Sequence, residues 1–189
     1  MQKSDEDTIV RRATELFRVH GYHHTSMSEV GEASGLLKGS LYHYFPGKEQ
    51  LALSAIERVR TEFRATVFAQ ANAEGLSPSE HLRRVNEATR RYFEARDGGC
   101  LLGNLALETL GTVPRFREPI EAYFQEWIGT YESIYLAATR DPGRARKDAE
   151  EAVALVQGSL MMCRVFGSAT PLRRVLDGLQ ERLDHRSMS

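Results

Sequence analysis

The sequence predicts an all-α protein. Apolar residues recur at spacings of three and four along nearly the whole chain. Ser, Asp, Pro and Gly fall where those runs start and stop, and alternating β-branched segments between hairpin turns are absent.

In chain order, Ser4 and Asp7 form an S-x-x-D arrangement ahead of Ile9, Ala13, Leu16 and Phe17, which share one helical face. Gly21 supplies a stop, so a first helix should end near His20. Ser26 and Glu29 have capping-box spacing ahead of Val30 and Ala33, and Gly35 closes this short second helix. A third carries Leu37, Leu41 and Phe45 at four-residue spacing before Pro46-Gly47 breaks it. A long fourth helix is expected from Lys48 to about Ala73, with Leu51, Ala55, Ile56, Val59 and Phe63 inward. Ser77-Pro78-Ser79-Glu80 opens a helix through Leu82, Val85, Tyr92 and Phe93 that stops at Asp97-Gly98-Gly99. A short helix covers about Leu101 to Leu110. Val113-Pro114 then starts a long one bearing Phe116, Ile120, Phe124, Trp127, Tyr131 and Tyr135, which Asp141-Pro142-Gly143 ends. Two more are expected over Ala149 to Phe166 and from Thr170-Pro171 through Leu172, Val175, Leu176 and Leu179. Without an internal repeat or a flexible linker, the chain divides into an N-terminal unit over 1–47 and a larger helical domain over 48–189, joined by the fourth helix.

Composition narrows the function classes. With 189 residues and 41% hydrophobic content the chain can bury a core of its own. No run approaches the ~18 to 20 uninterrupted apolar residues of a membrane span. The opening Met1-Gln2-Lys3-Ser4-Asp5-Glu6-Asp7 lacks a basic-then-apolar signal, so a cytoplasmic protein with no membrane partner is expected. Cys100 and Cys163 lie far apart with no second Cys or His at metal-ligand spacing. The adjacent His23 and His24 have no carboxylate or Cys at helical spacing to complete a site, so neither a metal nor a cofactor is expected. A nucleophile elbow, a phosphate-cradling glycine loop, an HExxH pair and paired carboxylates beside a base are all missing, which argues against an enzyme. The net charge of −1 gives no bulk basic signature, so nucleic-acid binding has to rest on local geometry.

That geometry is present near the N-terminus. Two short helices separated by a glycine-containing turn form a helix-turn-helix arrangement. If Leu37, Leu41 and Phe45 enter a small three-helix core, the other side of the third helix displays Lys38, Gly39, Ser40, Tyr42 and His43. An α-helix fits the major groove of B-DNA, where short polar side chains reach base edges while hydroxyls, lysines and backbone N–H groups hold phosphates. Gly39, a helix-weakening residue near the helix start, permits close approach of another backbone.

The stretch from Ile9 to Leu53 resembles the DNA-binding domain of the TetR family of transcriptional regulators. The most specific part is Gly35-Leu36-Leu37-Lys38-Gly39-Ser40-Leu41-Tyr42-His43-Tyr44-Phe45 followed by Lys48-Glu49-Gln50-Leu51. The resemblance implies a ligand-responsive homodimer, a repressor by expectation, whose partners are double-stranded palindromic operator DNA and a small-molecule effector. It implies that Thr25 and Ser26 touch phosphate and that Lys38, Gly39, Ser40 and His43 approach bases or phosphates. Tyr42 would hold the DNA backbone, and Lys48 would clamp phosphate from the start of the fourth helix. Met27-Ser28 departs from the family, where a Thr or a longer polar or basic residue often stands, which disfavours base reading by that segment. The alternative from a different class is a helical interaction or adaptor module without sequence-specific DNA binding, which a salt-dependent binding test separates from a regulator.

A DNA-binding domain this small reads few base pairs, so useful specificity requires two copies on a symmetric site. The resemblance implies that the last two helices, about 148–167 and 170–183, form a four-helix bundle with a partner. Leu155, Val156, Ser159, Leu160, Met162 and Cys163 are candidates for its seam, with an ordinary intrachain core as the other reading. It also places an effector among the middle helices, where Tyr92, Phe93, Leu101, Leu105, Phe124, Trp127, Ile128 and Tyr131 supply walls that suit a cavity or a plain core. The segment from Gly98 to Glu108 looks like a signature of one subgroup, some of whose members respond to electrophiles or oxidants through a Cys at the position of Cys100. A thiol at a helix N-terminus is favoured as thiolate, whereas a buried Cys commonly just packs. Asn104 and Glu108, four apart on one face, either orient a polar ligand or satisfy each other or the backbone.

Overall fold

The computed structural model describes residues 2–36 and 38–187, with the side chains of residues 2–5, 38, 39, 186 and 187 outside that description. Among the described residues there are helices and no strand, as the periodicity predicts. The α-helices are α1 Gln2–His20, α2 Met27–Ala33, α3 Lys38–Tyr44, α4 Lys48–Thr66, α5 Pro78–Glu94, α6 Leu101–Thr109, α7 Arg117–Thr139, α8 Pro142–Phe166 and α9 Thr170–Ser187. Single 3₁₀ turns cover Phe68–Asn72 and Pro114–Phe116.

Local chemistry sets these boundaries. The capping box expected at Ser26 forms, and a second one stands at Ser77, where the sequence predicts a helix start. The Glu29 amide donates to Ser26 Oγ (3.2 Å) while Glu29 Oε2 accepts from the Ser26 amide (2.7 Å), and Ser77 with Glu80 repeats the pattern at 3.3 and 2.9 Å. α1 ends at His20 as expected but begins at Gln2, so Ser4 and Asp7 do not mark its start. α4 stops at Thr66 rather than near Ala73. Phe68 turns inward, edge-on to Phe63 at 5.0 Å, and the chain tightens into a 3₁₀ turn with the Gln70 amide on the Val67 carbonyl. Asp141-Pro142 starts a helix as well as following one. Asp141 Oδ1 accepts from the Arg144 amide (3.1 Å), and Pro142 sits in the first turn, where its missing N–H costs nothing. α8 therefore begins at Pro142, not at Ala149.

The chain forms two compact units. The first comprises Met1–Glu62 with Cys100–Ile120. Its core includes Ile9, Phe17, Leu41, Phe45, Leu51, Ile56, Leu105 and Phe116, all buried. The unit holding the helix-turn-helix thus extends past position 47, taking in most of α4, all of α6 and the start of α7. The Tyr22 ring packs edge-on against Phe116 at 5.3 Å, so the α1–α2 loop is itself part of this core.

The second unit comprises Phe63–Gly99 with Glu121–Ser189. Phe63 is ringed by Phe68, Tyr92, Phe93, Tyr123 and Trp127 at centroid distances from 4.8 to 5.7 Å. Beside this cluster Tyr131 Oη donates to Asn86 Oδ1 (2.9 Å), and Asn86 Nδ2 donates to the Leu176 carbonyl (3.1 Å), tying α7, α5 and α9 together. α8 packs along α9, with Val153, Val156 and Leu160 buried from one and Leu172, Leu176, Leu179 and Leu183 from the other.

Candidate nucleic-acid interface

Burial sorts the faces of α3. Leu41 and Phe45 are 0% and 3% exposed, while Tyr42 between them is 46% exposed. His43 is exposed beside it and Ser40 is half-buried. Lys38 and Gly39 open the helix, with side-chain placement outside the described residues, and Leu37 lies outside them altogether. Tyr42 and His43 therefore stand outward, with Ser40 half-buried beside them.

The loop before α2 is tied down from several directions. Thr25 is turned inward: its Oγ1 donates to the Gly21 carbonyl (2.8 Å) and only 1% of the residue is exposed. Ser26 is exposed, with its hydroxyl engaged as the α2 cap. Hydrogen bonds from the Ser26 amide and hydroxyl hold the Glu29 carboxyl below the usual carboxylate range. From the first turn of α4, Lys48 Nζ donates to the carbonyls of Tyr22 (2.9 Å) and His23 (3.4 Å) and lies 4.5 Å from the Tyr22 ring centroid. Burial pulls the Lys48 ammonium below its ordinary pKa, and the charges of Glu108 and Glu29 oppose that shift.

Glu108 takes the other side of the same loop. Its Oε2 accepts from the amides of Tyr22 (2.8 Å) and His23 (3.5 Å), and its carbonyl accepts from His23 Nε2 (3.1 Å). Asn104, one turn earlier on α6, donates through Nδ2 to the Arg18 carbonyl (3.4 Å). Both side chains thus reach backbone atoms, which is one of the partners the sequence reading allows for this pair. What the sequence left unseen is that the backbone belongs to the α1–α2 loop. The available signal was Gly21, which ends α1 with φ +87° and leaves room for a carboxylate against its Cα.

The other ligand candidates do not gather in one place. Cys100, Leu101 and Leu105 are buried in the first unit, which also holds the half-buried Asn104 and Glu108, and Cys100 caps α6 through Sγ, which accepts from the Gly103 amide (3.4 Å). Tyr92, Phe93, Trp127 and Tyr131 are buried in the second unit, with Phe124 and Ile128 half-buried. A cleft of about 450 Å³ opens in that unit between the end of α5, the end of α8 and the start of α9. Phe93 reaches its wall, together with Arg96, Leu160, Cys163, Arg164 and Leu172. Among the seam candidates, Val156, Ser159 and Leu160 are packed inside their own chain, Leu155 and Cys163 are half-buried and Met162 is exposed. The apolar surface that α8 leaves open lies one step round the helix, at Met161, Met162, Val165 and Phe166. Among the described residues no helix is long and apolar enough to cross a membrane.

Residues 9–55 match the bacterial regulatory proteins of the tetR family, and residues 78–177 match the C-terminal domain of LmrA/YxaF-like transcriptional regulators. The chain belongs to the TetR family. It is 28% identical over 172 residues to the HTH-type transcriptional regulator LmrA of Bacillus subtilis, covering 89% of this chain and 91% of that protein. It is 22% identical over 182 residues to the HTH-type transcriptional repressor DhaR of Mycobacterium sp. (strain GP1), covering 93% and 90%. A TetR transcriptional regulator from Chloroflexus aurantiacus superposes with a TM-score of 0.83 at 30% identity over 97% of each chain. TetR-family proteins are DNA-binding regulators rather than enzymes, in agreement with the absence of catalytic motifs. The tetR match over 9–55 contains α2 and α3 but ends within α4, so Glu108 stands outside it.

Proposed function

We propose that this TetR-family chain is a ligand-responsive repressor that binds a near-palindromic operator as a homodimer. The observation that carries the DNA reading is the division of α3, with Leu41 and Phe45 in the core and Tyr42 and His43 outward. In this reading Ser40 and His43, with Lys38 and Gly39 at the helix start, meet base edges and phosphates, and Tyr42 and Ser26 hold the backbone. Thr25 serves the interface by fixing the loop. Lys48 has three ammonium donors, two of them on loop carbonyls, and the third is left for a phosphate.

Dimerisation is supported by the uncovered stretch Met161, Met162, Val165 and Phe166 at the end of α8, a contiguous apolar surface of the kind that marks an interface. Repression is supported by the similarity to DhaR. For the effector, the aromatic cluster around Phe63 is filled by its own rings, and one open space of the same unit is the cleft beside Phe93. The test is selection of duplexes from a random pool by the intact protein. Enrichment of one near-palindromic sequence is expected, and enrichment of none would transfer the chain to the adaptor reading.

A further inference from the structure

We propose that Glu108 is a positioning residue for operator recognition, holding the Tyr22–His23 segment from α6 so that α2 and α3 meet DNA in register. The proposal rests on the DNA-binding reading above.

Two opposite charges grip the same two residues. The Glu108 carboxylate takes the N–H groups of Tyr22 and His23, while the Lys48 ammonium takes their carbonyls. Both are charge-assisted hydrogen bonds, roughly twice as strong as neutral ones. The loop has little slack around them. Gly21 adopts a left-handed φ of +87°, Thr25 Oγ1 closes onto the Gly21 carbonyl, and Ser26, the next residue, is the cap from which α2 starts. A displacement at Tyr22 therefore reaches the first turn of the helix-turn-helix within a few residues.

The consequence for binding is selective. Hydrogen bonds to base edges fail when donor and acceptor move by a fraction of an ångström, whereas attraction of cations to phosphates tolerates it. Loss of the carboxylate should weaken specific binding and spare nonspecific binding. Charge alone predicts the reverse sign, because removing an anion near DNA tightens binding of either kind.

The experiment uses full-length Glu108→Ala and Glu108→Gln, titrated against the selected operator and a scrambled duplex at several salt concentrations. Glu108→Ala is expected to lose about tenfold in operator affinity. Scrambled-duplex affinity should not fall, and the salt slope should stay unchanged. Glu108→Gln keeps one acceptor oxygen without the charge and should fall between. The Tyr22 amide proton should lie downfield in the wild type and move upfield in both variants, a signature of the lost charge-assisted bond. A wild-type ratio of operator to scrambled affinity in both variants overturns the proposal, and so does a parallel loss of both affinities, which marks a folding role. Failure of the wild type to select any sequence would instead sink the DNA reading itself.

Discussion

The Glu108 carboxylate lies so close to Gly21 that a Cβ on this residue would sit 2.8 Å from Oε1. Gly21→Ala therefore strains the chain twice, through its φ of +87° and through the displaced carboxylate. The backbone contribution alone is roughly 1–2 kcal/mol. A lower thermal midpoint together with weaker operator binding is expected, measured by calorimetry and by fluorescence anisotropy. An alanine variant with wild-type values for both would mean that the loop is not held as described.

The proposed subunit interface is tested at the exposed end of α8 rather than at Leu160, one of the seam candidates from the sequence. Leu160 is 6% exposed in its own chain, so Leu160→Glu would bury a charge in the subunit core and damage folding whether or not a dimer exists. Met161 and Val165 are 61% and 68% exposed. Met161→Glu with Val165→Glu should leave helicity intact by circular dichroism and give a monomer by light scattering. A fully dimeric double variant places the seam elsewhere.

The rotation of α8 shows where sequence reading stops: the sequence candidates Val156, Ser159 and Leu160 are buried in their own chain, while Met161 and Val165 are exposed. Helical periodicity located the α-helices of the described residues, and the starts at Ser26 and Ser77 were legible because a capping box is local chemistry that the sequence carries complete. The rotation of α8 about its axis is different. Val156 and Met161 are both apolar, and only packing against α9 decides which one remains at the surface. The outward side of α3 was legible because Leu41 and, just past the helix end, Phe45 stand four residues apart and so fall on one side. The grip of Glu108 on Tyr22 joins residues 86 apart, and no periodicity reports such a contact. The end of α4 was missed because Phe68 turns inward toward a ring that only the folded chain supplies.

The buried polar link in the second unit predicts a stability effect. Tyr131→Phe leaves Asn86 Oδ1 in the interior without its donor, and Asn86 is 6% exposed. A loss of about 1–3 kcal/mol in urea unfolding is expected. An unchanged midpoint and slope would show that this oxygen finds another donor.

Acid sensitivity follows from the caps. The Glu29 and Glu80 carboxyls are both held below their ordinary value of 4.5, first by hydrogen bonds from the cap backbone and then from the cap hydroxyl. A carboxyl whose folded pKa is depressed stabilises the fold fully above its unfolded pKa, and that contribution is lost as pH falls through the folded pKa. Thermal midpoints should therefore drop as pH falls below about 4.5. Replacing both residues by Gln should make the drop shallower. A pH profile identical to that of the wild type would show that these carboxyls titrate alike in the folded and unfolded chain.

The most direct test of DNA reading by α3 is the affinity ratio between selected operator and scrambled duplex, measured by anisotropy at several salt concentrations. Wild type, Ser40→Ala, His43→Ala and Lys48→Ala would be compared. The wild-type ratio should reach about 10³ or more. Ser40→Ala and His43→Ala should lower that ratio with little change in the salt slope. Lys48→Ala should weaken both duplexes and reduce the slope by about 1 per half-site, and it should also lower the ratio because it frees the Tyr22 and His23 carbonyls. A wild-type ratio near one, or α3 variants that keep the wild-type preference, would contradict the assignment of this face to base recognition.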